Sequence, residues 1–520
     1  MKKFLAVSVA MIALWGCAAQ TPGAAKSSTL DQSAPPVEPY VPPEEREAFY
    51  GDLHLHTTNS FDAYALMGTK TTPDEAYRFA SGETIDYLGE PIRRGEPLDF
   101  LAVTDHSENL GVINELDNPD SALSKSKIGK EIKAAQSKGF LNPGANPKDQ
   151  ADAFALLGRL LKPGAFAEID SKTVSSAAWR RAIDSANRYY KPGKFTTFIG
   201  YEWSSMPGGQ NLHRNVIFRG ADAPYPFSSL DSSDPKDLWT FLTGIRAKGY
   251  EALAIPHNAN ASNGLMYDWT TLDGKPIDAA YALLRQENEP LSEITQNKGT
   301  SETHPSLSPN DEFANFEIFE TLLISPQKSK PSGSYLRDAL SRGLAIQQKI
   351  GVNPYKDGYV GAADLHGGLS VSSEQDFDGN VGGANLGGGK ATLESAKQTL
   401  QTKPVTVGFD PKVLSSSGLT GVWAEHNTRE SIYDAFRRKE TFATTGTRLK
   451  VRLLGGWDYS SDITKRADGV KEAYAKGVPM GSDLPAKPAN AAAPALAVWA
   501  LKDPNGANLD RVQIIKVWVE

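Results

Sequence analysis

Gly51-Asp52-Leu53-His54-Leu55-His56-Thr57 is the stretch on which the fold turns. Residues two apart on a β-strand point to one side, so the imidazoles of His54 and His56 face inward together while Leu53 and Leu55 face a helical layer. Two imidazoles converging at that spacing can chelate one divalent ion. The apolar run at 50–56 has counterparts at 99–106, 195–203, 212–218, 251–257, 316–320 and 360–366, and in six of these seven runs a His, Asp or Glu lies at or near the carboxyl end. Phe100-Leu101-Ala102-Val103 and Ala252-Leu253-Ala254-Ile255 lack polar alternation and read as strands buried on both faces, the mark of a mainly parallel sheet. Helical patterns at 177–190, 236–248 and 333–342 fall between them. This alternation predicts an α/β fold, a closed or nearly closed barrel with its site at the strand carboxyl ends. A doubly wound open sheet is the second choice.

Working outward, the same chemistry recurs. Asp364-Leu365-His366 repeats the i, i+2 spacing with a carboxylate and an imidazole. Thr104-Asp105-His106 closes another buried strand, Glu202 follows Ile199-Gly200-Tyr201, and His257 follows Pro256. Asp62 lies shortly after the first pair, and His213 opens the run at 211–218. A lone His-x-His occurs by chance, but random placement does not put so many ligand types at strand ends. Imidazole with carboxylate suits Zn, Mn or Fe and disfavours Ca. Glu202 and His257 are candidate catalytic groups as well as ligands. Asp105 is either a third catalytic candidate or a partner that orients an imidazole. Arg214 beside His213, and Arg429 in the first turn of a helix announced by Asn427 and Glu430, are candidate anion clamps. The bland reading of each arginine is a packing or surface role. Asn258, next to His257, is a candidate substrate contact, and His304 reads as a loop residue.

The order His-x-His, Asp, Thr-Asp-His, Glu, His, Pro-His and Asp-x-His resembles the PHP (polymerase and histidinol phosphatase) superfamily of metal-dependent phosphoesterases. More closely, Gly51–Thr57, Gly200-Tyr201-Glu202-Trp203, Asn211-Leu212-His213-Arg214-Asn215 and Asn427-Thr428-Arg429-Glu430 resemble the bacterial family DUF3604, from Tyr50 onward. The resemblance implies a distorted (β/α)7 barrel with large loop insertions. It also implies a trinuclear centre in which His54, His56, Glu202 and Asp364 hold one ion. Glu202 would bridge to a second held by His213 and His257, and Asp62, His106 and His366 would hold a third. His426 departs from the family pattern, which often carries an acidic residue there. The expected cofactors are two or three divalent ions (Mn, Zn or Fe). The expected reaction is hydrolysis of an anionic phosphate ester by metal-activated water; the alternatives are amide or lactone hydrolysis at the same centre, or metal binding without turnover.

The 520 residues are 40% hydrophobic and 22% charged, with a net charge of -7. That is globular composition for a large domain with a smaller one, and the absence of a basic block argues against nucleic acid as a partner. Lys2 and Lys3 precede an apolar stretch at 4–14 that ends in Leu14-Trp15-Gly16-Cys17, similar to a lipobox despite the unusual Trp15. Cys17 is the single cysteine, so no disulfide or thiolate ligand belongs to the body. The expectation is a lipoprotein signal at 1–17, a Pro/Ala/Ser-rich tether at 18–48 and a hydrolase body at 49–446 with insertions at 109–194 and 367–420. A β-rich region at 447–520, expected to be cut short at its last strand, would follow, with strands at 450–454, 495–501 and 512–519. The membrane would be touched only through the lipid, in the periplasm or at the outer membrane of a bacterium; plain secretion is the alternative.

Overall fold

Strand β1 (Glu47–Asp52) lies inside a curled seven-stranded sheet. It pairs in parallel with β2 (Phe100–Val103), which pairs in parallel with β3 (Thr196–Trp203). Next come β4 (Arg214–Phe218) and β5 (Ala252–Pro256), each antiparallel to its predecessor. A separate group holds β6 (Leu291–Gln296), the short β7 (Gly299–Thr300) and β8 (Gly358–Gly361), with β8 parallel to β6. On the other side of β1 lie β9 (Leu419–Ala424), antiparallel to β1, and β10 (Thr441–Thr444), antiparallel to β9. The structure is a computed structural model that describes residues 38–65, 68–87, 89–137, 147–373, 414–415 and 417–519. The leader, Cys17, most of the tether and most of the insertion at 367–420 lie outside the described residues.

The α/β class follows the sequence reading, but the sheet is mixed where a (β/α)7 alternation was expected. Strand β4 is the reason. Only the short loop 204–213 joins it to β3, and a parallel return needs a crossover of a dozen or more residues. The run at 316–320 forms no strand, although a short antiparallel hairpin (Thr321–Leu322 with Ser325–Lys328) follows it; the strand that pairs with β8 is β6, whose Ser292, Glu293 and Gln296 masked its apolar content.

Two cores lie on the two faces of the strands. The outer one packs Leu101, Val103, Ile199 and Tyr201 against helices α1 (Pro73–Ala80), α2 (Ser171–Tyr189) and α3 (Pro235–Arg246). Thr72 and Glu75 close a capping box at the start of α1. The inner one gathers Phe100, Phe198, Ile217, Leu253, Leu291, Val360 and Val422, and helix α4 (Arg429–Arg438) plugs its end with Ile432 and Phe436. The N-cap of α4 is Thr428, whose side chain accepts from the Ser431 N–H, rather than the expected Asn427. Asn427 instead donates to the carbonyls of Asp99 and Lys194. Leu53 also departs from expectation: it joins the inner core while Leu55 joins the outer one. The alternation slips between Leu53 and His54, where the His54 N–H donates to the Asp52 side chain at 3.0 Å.

Residues 112–137 and 147–166 contribute helices, and Ile113, Leu116, Ile132 and Phe166 form a satellite core together with Tyr64 and Ala65. Toward the carboxyl end, β11 (Lys450–Gly456) pairs antiparallel with β12 (Gly477–Pro479) and β13 (Ala495–Leu501). Residues 512–519, expected as a strand, have no strand partner among the described residues, and Val512, Ile514 and Trp518 are exposed.

Candidate metal centre

Period-two alternation carries the inner face of each strand from apolar side chains to ligand chemistry. On β2 the face runs Phe100, Ala102, Thr104, His106; on β3, Phe198, Gly200, Glu202; on β5, Leu253, Ile255, His257. Because β4 is antiparallel, its inner face reads backwards, Ile217, Asn215, His213, and so delivers His213 to the same end. Past β8 the sequence Ala362, Asp364, His366 continues the pattern.

Hydrogen bonds between strand ends hold these residues in register. Segments 54–56 and 364–366 run parallel through a bridge at Leu55 and Leu365, with Asp364 N–H donating to His54 O (2.8 Å) and His56 N–H to Leu365 O (3.0 Å). Both i, i+2 pairs therefore project together. Thr104 N–H donates to Leu55 O, His106 bridges to Glu202, and His257 N–H donates to His213 O. Asp364 adopts a left-handed conformation (φ 52°), as does Asn258 (φ 48°), a backbone cost concentrated at this end of the strands.

All nine expected ligands converge. Glu202 lies at the middle: its Oε1 is 2.5 Å from His213 Nδ1 and 3.1 Å from His257 Nε2. Its Oε2 is 3.3 Å from His54 Nε2 and 3.1 Å from His56 Nε2. Asp364 Oδ1 lies 3.3 Å from both of those imidazole nitrogens. Asp62 Oδ2 is 3.2 Å from His106 Nε2 and 3.1 Å from His366 Nε2. Three groupings have the spacing of metal ligands: His56, Asp62, His106 and His366; His54, Glu202 and His257; and His54, His56 and Asp364. Ligand atoms about 3.0–3.4 Å apart are what bonds of about 2.0–2.2 Å at octahedral or tetrahedral angles produce.

The outward nitrogens strengthen the fit. His54 Nδ1 faces Glu293 Oε2 at 3.0 Å, His56 Nδ1 faces Ser60 Oγ at 2.9 Å, and His106 Nδ1 faces Ser204 Oγ at 2.5 Å. His366 Nδ1 faces the Asp364 carbonyl at 3.1 Å. Orienting partners of this kind fix ring and tautomer so that the inward nitrogen presents a lone pair. His213 Nε2 and His257 Nδ1 are buried with no hydrogen-bond partner among the described residues.

Electrostatics follow from burial and crowding. Burial alone would raise the Glu202 carboxyl, but His106, His257 and His213 outweigh it and hold it well below the usual range. Asp62 and Asp364 behave alike, the first through His106 and His366, the second through His54 and Lys298. Burial lowers the histidines, yet Asp364, Glu293 and Glu202 push His54 well above its ordinary value, and Glu202 with Asp62 takes His106 to about 10. For His257 burial and the neighbouring His54 win, bringing it to about 3.

Not every expected residue reaches the centre. Asp105 accepts from the Thr57 N–H (2.6 Å) and from the hydroxyls of Thr57 (2.7 Å) and Ser60 (2.8 Å), so it reaches His56 through Ser60 and belongs to none of the metal groupings. Arg214 alternates with His213 and points the other way, into a buried ion pair with Glu289 at 2.8 Å. Arg429 is spent on Thr197 O, Asn187 and Ala186 O beside the Tyr190 ring. Neither arginine is an anion clamp. The Asn258 amide is buried and its Nδ2 has no partner among the described residues, so it keeps a hydrogen bond to give. His304 pairs with Ser306 and Glu320 away from the cluster, and His426 belongs to none of the metal groupings. Sequence reasoning missed Glu293 and Lys298. Glu293 lies on an unrecognised strand, and Lys298 is a buried lysine beside Asp364 with no motif to mark it.

A family model described as a protein of unknown function, DUF3604, matches residues 43–520. The chain is similar to the crystal structure of a two-domain protein containing a predicted PHP-like metal-dependent phosphoesterase from Bacteroides vulgatus. The identity is 11% over 80% of each chain, with a TM-score of 0.30. No curated protein matches.

Proposed function

The chain belongs to the DUF3604 family, and on that premise we propose that it is a metal-dependent hydrolase acting on phosphate esters at a di- or trinuclear centre. The observation that carries the reading is the set of six imidazoles and three carboxylates, buried together, with four of the rings steered from behind. The Nε2 atoms of His54 and His56 lie 3.3 Å apart, and with their Nδ1 atoms facing Glu293 and Ser60 a divalent cation between them would take both lone pairs. The donor set fits Mn, Zn or Fe.

Divalent ions held by His54, His56, Asp62, His106, Glu202, His213, His257, Asp364 and His366 would supply Lewis acidity and bring the pKa of water toward neutrality. The residues themselves do the rest. Glu202 presents one oxygen to each half of the cluster, which suits it to a bridging position. Asp62 is the most accessible of the nine, its side chain 18% exposed, so substrate would arrive on its side. Asn258 would donate its free amide hydrogen to a substrate oxygen. Charge favours an anionic substrate: the three ligand carboxylates, offset by the Lys298 ammonium, carry less negative charge than the positive charge that two or three divalent ions would bring. Export, lipid attachment at Cys17 and a catalytic body at 49–446 with a β-rich appendage complete the proposal. Amide or lactone hydrolysis is the second reading, favoured by the withdrawal of Arg214 and Arg429 from the site.

The test is to purify the chain lacking residues 1–17, measure bound metals, and assay Mn- and Zn-loaded protein against aryl phosphate mono- and diesters, an anilide and a lactone. The control is His54→Ala with His56→Ala. Two or three ions per chain and phosphate-ester turnover lost in the control are expected. Metals with carbonyl turnover alone would select the second reading, metals without turnover a binding protein, and no metal would sink all three.

A further inference from the structure

Strand β6 turns into β7 through Asn297 and Lys298, and this two-residue tip enters the metal centre. Its position is tightly held. Gly299 takes a φ of 89°, and a Cβ there would stand 2.7 Å from Glu317 O. Lys298 N–H donates to Gln296 Oε1 (2.6 Å), Lys298 O accepts from Asn260 Nδ2 (3.1 Å), and Asn297 Nδ2 donates to the Asp364 carbonyl (2.8 Å). The tip thus delivers the Lys298 ammonium against Asp364 Oδ2, the oxygen turned away from His54 and His56, where Gln296 Nε2 also donates at 2.5 Å.

A lysine side chain only 5% exposed is an expensive choice if neutralising Asp364 were the whole purpose, since Gln296 already satisfies that oxygen. An ammonium has three N–H donors, and among the described residues Asp364 is the partner of Lys298 Nζ, leaving donors unused. Ion binding at Asp364 Oδ1 would draw the carboxylate charge away and leave the ammonium less compensated.

We propose that Lys298 is the anion-binding residue of this centre, contacting a non-bridging oxygen of a phosphate group, the role Arg214 and Arg429 do not fill. The inference rests on the phosphate-ester reading above and deepens it: the substrate class is an ester bearing at least one free phosphate oxyanion.

The test is calorimetric titration of inorganic phosphate into the metal-loaded chain, with metal content measured on the same samples, for wild type, Lys298→Met and Lys298→Arg. Losing a charge-assisted contact should weaken phosphate binding roughly tenfold to a hundredfold in Lys298→Met, with ions per chain unchanged and partial recovery in Lys298→Arg. Should Lys298→Met fail to fold, Lys298→Gln carries the same expectation, because its amide keeps a hydrogen bond to Asp364 without the charge. Phosphate binding that stays at the wild-type value, or that falls only in step with lost metal, overturns the role of Lys298 while wild-type turnover leaves the phosphate-ester reading standing. A loaded wild type that neither binds phosphate nor hydrolyses its esters removes that reading and this one together.

Discussion

The two ends of the same inner strand face could hardly differ more. At one end Phe100, Phe198, Leu253 and Val360 pack on the plug helix α4; two to three alternations later the same strands present His106, Glu202, His257 and Asp364. The first end is apolar and closed, with Phe100 and Phe198 fully buried. The second is as buried but filled with imidazoles and carboxylates that face one another at metal-ligand spacing. The difference teaches that burial here serves two purposes: water exclusion for stability at one end, and a dry cage that sharpens electrostatics at the other.

Substitutions at the two ends should therefore separate binding from folding. The largest effect is expected for Glu202→Gln. Its oxygens serve His213 and His257 on one side and His54 and His56 on the other. Losing that charge should remove at least one ion per chain and lower turnover by on the order of a thousandfold, read by metal analysis and steady-state kinetics. Circular dichroism should still show a folded chain. Phe198→Ala is the converse. Truncating an aromatic that meets Phe100 and Phe436 should destabilise by about 3–5 kcal/mol in chemical denaturation, while ions per folded chain stay unchanged. If Phe198→Ala also emptied the centre, the two ends would be one cooperative unit and the comparison would fail.

A smaller effect sharpens the boundary between them. Glu293 projects from β6 to His54 Nδ1, and burial holds its carboxyl above the usual value against the pull of His54. Glu293→Gln should weaken metal binding about 10- to 100-fold without abolishing it, read as the chelator concentration that strips the ions. An unchanged affinity would mean that His54 is fixed by its backbone bonds alone.

What the sequence disclosed about these two ends follows the same physics. The ligands were legible because period-two spacing is rigid: His54 with His56 and Asp364 with His366 can only point together. Arg214 was legible in principle too, since a residue adjacent to His213 on a strand faces away from it; its charge drew attention that its parity should have removed. The direction of β4 was not in its own residues but in the short loop 204–213. Glu293 and Lys298 stayed hidden because β6 mixes polar side chains into a buried strand, and the polarity that conceals it as a strand is the polarity that serves the centre. Asp105 reads from sequence as either a catalytic group or a partner that orients an imidazole, and Ser60, standing between it and His56, is the residue through which the orienting role runs.

The last and smallest contrast is with pH, in protein stripped of metal. His54, His56 and His106 are raised above the ordinary histidine value of 6.5, burial being outweighed by Asp364 and Glu293 at His54, by Asp364 and Glu202 at His56, and by Glu202 and Asp62 at His106, which reaches about 10. Groups raised on folding contribute stability that is whole below 6.5 and is lost as pH climbs toward their folded values. His257 and His366 are lowered, by burial first and then by neighbouring imidazoles, His257 to about 3. They resist protonation in the fold, so stability also declines as pH drops below 6.5. The metal-free chain should thus be most stable near pH 6.5 and melt a few degrees lower at pH 9. Metal loading reverses the alkaline limb, because ions require neutral imidazoles and displace their protons, so affinity grows with pH. Melting curves of stripped and loaded protein should therefore diverge steadily above pH 6.5. Phe198→Ala should lower both curves without changing their divergence, whereas Glu202→Gln should collapse it. Parallel curves in the wild type would mean that the polar end carries no ions and is linked to folding only through its own protons.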